Sequence, residues 1–149
     1  MALRGVVLGK PLTTNGVYKI RAIGTGRKAF ATMYMSAEGK RWKEQIAKVM
    51  GEAMRAGGFK APHEGPVEVE ICTYFPTLRG DCDGPAKPIL DAMQGVVYKN
   101  DSQISACFLY KYKDKDNPRI EIAVRNTATA PVCSSGWNMP EFTLNHEVN

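Results

Sequence analysis

The sharpest alternation of apolar and polar positions in the chain runs from Val67 to Phe75. Val67, Val69, Ile71, Thr73 and Phe75 fall in one phase, and Glu68, Glu70, Cys72 and Tyr74 in the other. A period of two is the mark of a half-buried strand, and Pro76 ends it. Upstream, Arg4 to Gly9 reads as a short apolar strand and Leu12 to Gly16 as a polar loop. Val17 to Ile23 reads as a strand with Tyr18, Ile20 and Ala22 on one side. Gly24-Thr25-Gly26 makes a turn before Arg27 and Lys28, and Ala29 to Met35 returns. This segment is expected to be a hairpin with a basic tip. Ser36 is placed to cap a helix, and Glu38 suits its positive end. Trp42, Ile46, Val49 and Ala53, with Met50 and Met54 beside them, keep helical spacing until Gly57-Gly58.

Beyond the central strand the pattern predicts a second helix from Pro85 to Gln94, buried through Ala86, Ile89, Leu90 and Met93. Pro88 is tolerated there because it lies near the helix start, where few backbone donors are needed. Val96 to Lys99 is a short apolar piece that presents Asn100 and Asp101. Gln103 to Lys113 is a strand with Ile104, Ala106, Phe108, Tyr110 and Tyr112 in one phase. Arg119 to Arg125 is another, burying Ile120, Ile122 and Val124. These two are expected to pair with each other as a hairpin around Asp114 to Pro118. The reading is an α+β fold: a single domain over residues 1–125, a mixed sheet of about five or six strands and two main helices. Residues 126–149 are polar and without period, a tail that Trp137 is expected to pin to the body.

Composition narrows this further. At 149 residues the chain can bury one ordinary core. No apolar run is long enough to span a bilayer, and Met1 to Lys10 is too short for a signal segment. A cytoplasmic, nucleoid-associated protein with no membrane partner is expected. Cys72, Cys82, Cys107 and Cys133 are scattered, without a Cys-x-x-Cys pair, and only His63 and His146 accompany them. That argues against zinc and for reduced thiols. The net charge of +5 is unevenly placed. Residues 1–60 hold twelve Lys or Arg against three Glu, and residues 61–149 hold eight against twelve acids. A basic first half attached to an acidic centre would attract an anionic polymer.

The candidate chemistry lies between Arg79 and Ile104. Asp81 and Asp83 stand two apart in a tight turn, Lys87 follows four residues after Asp83, and a short helix leads through Asp91 to Asp101. Clustered carboxylates repel one another unless a cation or a proton sits among them. Oxygen donors without neighbouring His or Cys suit a hard ion, Mg²⁺ first and Mn²⁺ second. This points to a metal-dependent site that cleaves phosphodiesters. The same residues also make a plain turn and helix start, with Asp as cap, Gly relaxing the backbone and Pro in the first helical turn. Two more readings stand beside it. One is a strand followed by Asp-x-Asp-Gly as in an Asp-dependent phosphatase. The other is a DNA-junction-binding protein that no longer cuts.

In order, the motifs are Asn15-x-x-Tyr18, Ser36-x-Glu38-Gly39 with Trp42, the alternating strand, Asp81-x-Asp83, Lys87, Leu90-Asp91-Ala92 and Asp101-Ser102-Gln103-Ile104. Together they resemble the RusA-type Holliday-junction resolvases, over roughly residues 6–125. The resemblance implies a homodimer that binds four-way or branched DNA and makes paired, symmetric nicks with Mg²⁺, in recombination and repair. It implies catalytic roles for Asp81, Asp83, Asp101 and Lys87, the three Asp as metal ligands, with Asp91 a weaker candidate. Arg27, Lys28, Arg79 and Lys87 are the candidate DNA contacts. The family usually has Asn where this chain has Gly84, and Asp-Asp where it has Asn100-Asp101. Cys82, between the two Asp, is expected to point away from the metal.

Overall fold

The structure, a computed structural model, describes residues 1–127. Among these residues six strands form two sheets. The main sheet has four strands in the order β1 (Ala2–Leu8), β6 (Arg119–Asn126), β4 (Val67–Phe75), β5 (Ile104–Lys113). The second sheet is the hairpin of β2 (Tyr18–Ile23) and β3 (Phe30–Met35), hydrogen-bonded to no other strand among the described residues. The hairpin with its basic tip is as the sequence led us to expect, and the tip takes the form of a 3-10 turn at Gly26–Lys28. The described residues also form three helices: α1 (Thr14–Val17), α2 (Ala37–Ala56) and α3 (Ala86–Met93). The α+β, single-domain expectation holds, with six strands and two substantial helices.

The core lies between the main sheet and the helices. Leu3 and Val7 of β1, Val67, Val69 and Ile71 of β4, and Ile120, Ile122 and Val124 of β6 meet Trp42, Ile46, Met50 and Met54 of α2 and Ile89 and Met93 of α3. Burying each such aliphatic side chain contributes about 1.5–3 kcal/mol. Only part of the helical stripe is deeply buried, since Val49 and Ala53 flank the core half-exposed.

Three expectations are corrected. β5 and β6 do not form a hairpin. β4 lies between them, parallel to β5 and antiparallel to β6. The reason is visible in β4, all nine of whose residues are buried. A strand at the centre of a sheet needs a hydrogen-bonded neighbour on each side. Second, β4 is not half-buried. Its polar phase is covered by neighbours in the sheet: Glu68 pairs with Arg125, and Cys72 and Tyr74 cluster with Ala123, Tyr110 and Tyr112. Third, the alternation of β5 is broken. A register shift between Val67 and Glu68 sets Glu68 opposite Ala106, so Ile104 packs with the core while Tyr110 and Tyr112 join the far face. α1, which takes the end of the expected polar loop and Val17 of the expected strand, went unread because it is a single turn. The tail and Trp137 lie outside the described residues, and so does Cys133.

Ser36 caps α2 as expected: its Oγ accepts from the Gly39 backbone N–H at 2.9 Å and donates to the Gly16 carbonyl at 2.9 Å. Gly39 has a reason of its own. A Cβ there would come within 2.7 Å of the Val17 Cα. The helix start can thus lie directly against the chain just before Tyr18. Gly51, in the same helix, faces only ordinary contact, with Val96 Cγ1 at 3.5 Å from its would-be Cβ.

These two glycines should therefore respond oppositely to alanine. Gly39→Ala, which must push backbone, is expected to lose about 1–3 kcal/mol of stability. Gly51→Ala is expected to gain about 0.5–1 kcal/mol from helix propensity. Urea unfolding of both variants beside the wild type checks the pair.

Candidate active site

β4 and β5 are parallel, so the chain between them must travel back from the end of one to the start of the other. Residues 76–103 make that crossover, and every acidic candidate lies on it. After Pro76 the chain turns down the outer edge of β5. The Lys111 ammonium holds it there, donating to the carbonyls of Leu78 at 3.2 Å and Gly80 at 2.8 Å. The Cys82 thiol is directed at the Leu109 carbonyl, 3.6 Å away. Asp81 and Asp83 follow, both exposed on the loop. Their backbone carbonyls accept from Gly84 at 3.3 Å and Ala86 at 2.9 Å, which shapes the entry into α3. Gly84 in turn accepts two bonds from Thr14, one from its N–H at 2.7 Å and one from its hydroxyl at 2.8 Å.

Lys87 lies in the first turn of α3 and forms an ion pair with Asp91 one turn on, at 3.0 Å. The spacing of four predicts this contact. The other Asp91 oxygen accepts from the Tyr18 hydroxyl at 2.5 Å, and that hydroxyl accepts in turn from Lys43 of α2 at 3.1 Å. Burial works against the Asp91 charge, but the Tyr18 hydrogen bond and Lys87 outweigh it and hold the carboxyl below the usual Asp range. Tyr18 moves the other way: burial first, then the Asp91 hydrogen bond and charge, raise its pKa. The chain Lys43–Tyr18–Asp91–Lys87 ties α2, the foot of the β2–β3 hairpin and α3 to one point.

Asp101 closes the crossover at the head of β5, in a 3-10 turn over Asp101–Gln103. Asn100 and Gln103 cap this turn reciprocally, and the Gln103 amide also donates to the carbonyls of His63 and Gly65 at 2.9 and 2.8 Å. Asp101 is thus an exposed carboxylate on a well-fixed turn. Tyr98 lies between it and α3, its hydroxyl donating to the Leu90 carbonyl at 2.8 Å. Burial raises the Tyr98 pKa, and the charges of Asp101, Cys107 and Asp91 add to the rise. Asp101 and Asp91 therefore both act on the same phenol.

The donors on this crossover are right in kind for a hard divalent cation: exposed carboxylates, with the one thiol among them, Cys82, directed at the Leu109 carbonyl. They are not drawn together around one point. Among the described residues no group of three or more His, Cys, Asp or Glu stands close enough to hold an ion. Asp81 and Asp83 share the loop along β5, and Asp101 comes from a separate turn.

Of the candidate DNA contacts, Arg27 and Lys28 stand exposed at the hairpin tip. Arg79 lines a cleft of about 430 Å³ with Lys10, Thr13 and Phe75. Sequence reasoning missed Lys43 and Lys111. Lys111 gave no sign in the sequence, because the expected alternation of β5 set it in the outward phase and only the register shift against β4 reverses that. Lys43 looked like any cation on the solvent face of α2.

A family model described as endodeoxyribonuclease RusA matches residues 17–125. No curated protein matches the chain.

The lowered Asp91 pKa sets the sign of a pH effect. A carboxyl whose folded pKa lies below its unfolded value stabilises the fold fully above the unfolded value of about 3.9, and that stabilisation fades as pH falls through the folded pKa. Wild type is expected to lose this increment in strong acid, while Asp91→Asn lacks it at every pH. Stability curves from pH 2 to 7 for the two proteins should converge at the acid end. Convergence at the neutral end instead would contradict the Lys43–Tyr18–Asp91–Lys87 chain.

Proposed function

The chain belongs to the RusA endodeoxyribonuclease family, enzymes that hydrolyse DNA phosphodiester bonds, and from that premise we propose that it resolves four-way DNA junctions by paired nicks, acting as a homodimer. The observation that carries the reading is the placement of the acids. Asp81 and Asp83 open, and Asp101 closes, the crossover between two parallel strands, with Lys87 and Asp91 on the helix between.

In this reading Asp81, Asp83 and Asp101 would supply the oxygen ligands of a divalent cation, Mg²⁺ first and Mn²⁺ as substitute, on drawing closer than they stand here. Such an ion would supply charge to neutralise the phosphate and to make a bound water more acidic. The remaining work falls to the chain itself. Lys87 is two-thirds exposed while paired to Asp91. An exposed pair of this kind contributes about 0–1 kcal/mol, so the ammonium can turn to a phosphate oxygen at small cost. Its positive charge then meets the charge that develops on the phosphoryl oxygens. Asp91, fixed by Tyr18, keeps Lys87 close to the start of α3, where Asp83 lies. Arg27, Lys28 and Arg79 bind the backbone of the arms, which positions the DNA and carries no sequence information. A twofold dimer axis places one such centre on each of two opposed strands.

The phosphatase reading loses its structural basis. That fold needs repeated parallel βα units, and among the described residues β4–β5 is the one parallel strand pair. A junction binder that no longer cuts remains the second reading, favoured by the three acids standing apart.

A synthetic four-way junction set beside linear duplex separates the two. With Mg²⁺ the wild type is expected to nick the junction symmetrically and leave the duplex intact. Asp83→Asn is expected to bind the junction with unchanged affinity and cut it slower by about 100-fold or more, the upper end of what even the outer residues of metal sites cost. Full activity in this variant would remove Asp83 from the mechanism. Binding should also weaken steeply with salt, by about 0.9 log unit per log unit of salt for each phosphate neutralised. A flat response would remove the basic first half from the DNA face.

A further inference from the structure

Six of the nine large hydrophobic side chains exposed among the described residues belong to the β2–β3 hairpin, and they divide evenly between its two faces. One face sets Tyr18 against Met35, Ile20 against Met33 and Ala22 against Ala31. The other sets Lys19 against Tyr34, Arg21 against Thr32 and Ile23 against Phe30. The faces differ in chemistry. Ile20, Met33 and Met35 on the first are flexible aliphatic or thioether chains, and no charge falls among them. The second holds both exposed aromatic rings of the hairpin, Phe30 at 59% and Tyr34 at 44%, and both cations of its strands, Lys19 and Arg21. The Arg21 guanidinium lies 5.4 Å from the Tyr34 ring centre, within the range of cation–π attraction. Arg27 and Lys28 continue the positive charge at the tip, and no acidic residue occurs between Tyr18 and Met35.

We propose that the face formed by Lys19, Arg21, Phe30 and Tyr34 binds single-stranded DNA, with bases stacked on the two rings and phosphates along the cations. The inference rests on the nuclease reading for DNA as the ligand, and adds which state of the DNA the hairpin takes. A duplex has no use for exposed rings, because in its grooves the bases show only their edges. An unpaired base shows its flat face, and stacking that face on an aromatic side chain is favourable whatever the base. Rings interleaved with cations are the surface such a strand needs: planes for the bases and charge for the backbone between them. Phe30 and Tyr34 stand four apart on β3, so about 13 Å of strand separates them. Thr32 lies between them on the same face, opposite Arg21. An arginine in that place can meet a phosphate or lie against a base. The opposite face offers phosphate no cation. In a branched DNA, bases are unpaired where the strands part. The foot of the hairpin is bound to Asp91 of α3 through Tyr18, so a strand gripped here is held beside the acidic crossover.

The test is binding of full-length protein to a short oligothymidylate and to a duplex of equal length, followed by fluorescence anisotropy in EDTA so that no metal-dependent cleavage intervenes. Wild type is expected to bind the single strand more tightly than the duplex, and to keep that preference as salt rises, since stacking releases no counterions. Phe30→Ala/Tyr34→Ala, altered at exposed positions only, is expected to weaken single-strand binding about 25-fold or more, about fivefold at least for each ring lost. Phe30→Trp/Tyr34→Trp should restore it, which a merely structural role for the rings would not produce. Ile20→Ala/Met33→Ala on the opposite face should bind as wild type does. A 2-aminopurine placed in the strand should lose fluorescence on saturation with wild type and keep it on saturation with the alanine variant. The proposal is overturned if the duplex binds as tightly as the single strand, if the alanine variant binds like wild type, or if the Ile20/Met33 variant is the one that loses binding. It is equally overturned if the alanine variant changes only the association of the protein with other protein chains. Single-strand binding without any cleavage of junction DNA in Mg²⁺ would overturn the nuclease reading and leave this face standing.

Discussion

β4 is buried along its whole length, and everything that matters for the site follows from that. A fully buried strand must hand all its backbone donors and acceptors to neighbours, because no water reaches them. Here one neighbour is antiparallel and reaches it from the next strand of the sheet, and the other is parallel. A parallel neighbour cannot be reached by a tight turn, so the chain has to make a return trip across the sheet. That return trip is residues 76–103, and it holds Asp81, Asp83, Lys87, Asp91 and Asp101. The site is therefore the cost of one parallel pairing turned to use: a segment that must exist for the sheet, lying at its edge and in contact with solvent.

The crossover is fastened at several points along its length, and the fastenings differ in kind. Lys111 grips the loop by two carbonyls, Thr14 grips Gly84 by a third, and Tyr18 with Lys87 grips Asp91 by its side chain. Gln103 clamps the far end to the chain around His63. None of these bonds occupies the side-chain oxygens of Asp81, Asp83 or Asp101. The backbone is held and those carboxylates are left pointing to solvent. That division suits a surface that must meet a bulky polyanion, because ordering the loop beforehand leaves less entropy to be lost on binding.

Most of the secondary structure was legible because periodicity reports burial. The two long strands that alternate cleanly, the α2 stripe and its Ser36 cap, and the basic-tipped hairpin all declare themselves within a dozen residues. Pairing did not. β5 and β6 are adjacent in sequence with a turn between them, and local signals favour a hairpin. Only the need of β4 for two neighbours separates them, and that need is a property of the assembled sheet. The bulge at the start of β5 is likewise invisible in composition, yet it shifts Ile104 into the core and the tyrosines out of it. In the site, Lys87 and Asp91 were readable as a pair from their spacing. The hydroxyl of Tyr18 on Asp91 was not, since 73 residues separate them. The same holds for Lys43 and Lys111, whose roles depend on which carbonyl or phenol the fold brings near.

Gly84 is where the sequence departs from the pattern it resembles, and its surroundings bear on how the departure should be read. A missing side chain in an acidic loop suggests lost order. Yet the space that a side chain would enter is taken: a Cβ on Gly84 would lie 3.2 Å from Thr13 Cγ2 and 3.3 Å from the Asp81 carbonyl oxygen. Contacts that short require a neighbour to yield. The α1 turn has moved in instead, and both the N–H and the hydroxyl of Thr14 donate to the Gly84 carbonyl. Backbone bonding from α1 thus fixes the chain at the point where an amide side chain is absent. Because α1 leads directly into Tyr18, this same contact links the Asp81–Asp83 loop to the phenol that holds Asp91. A glycine so closely packed is a matched part of the local structure, and it gives no independent reason to regard the acidic loop as disabled.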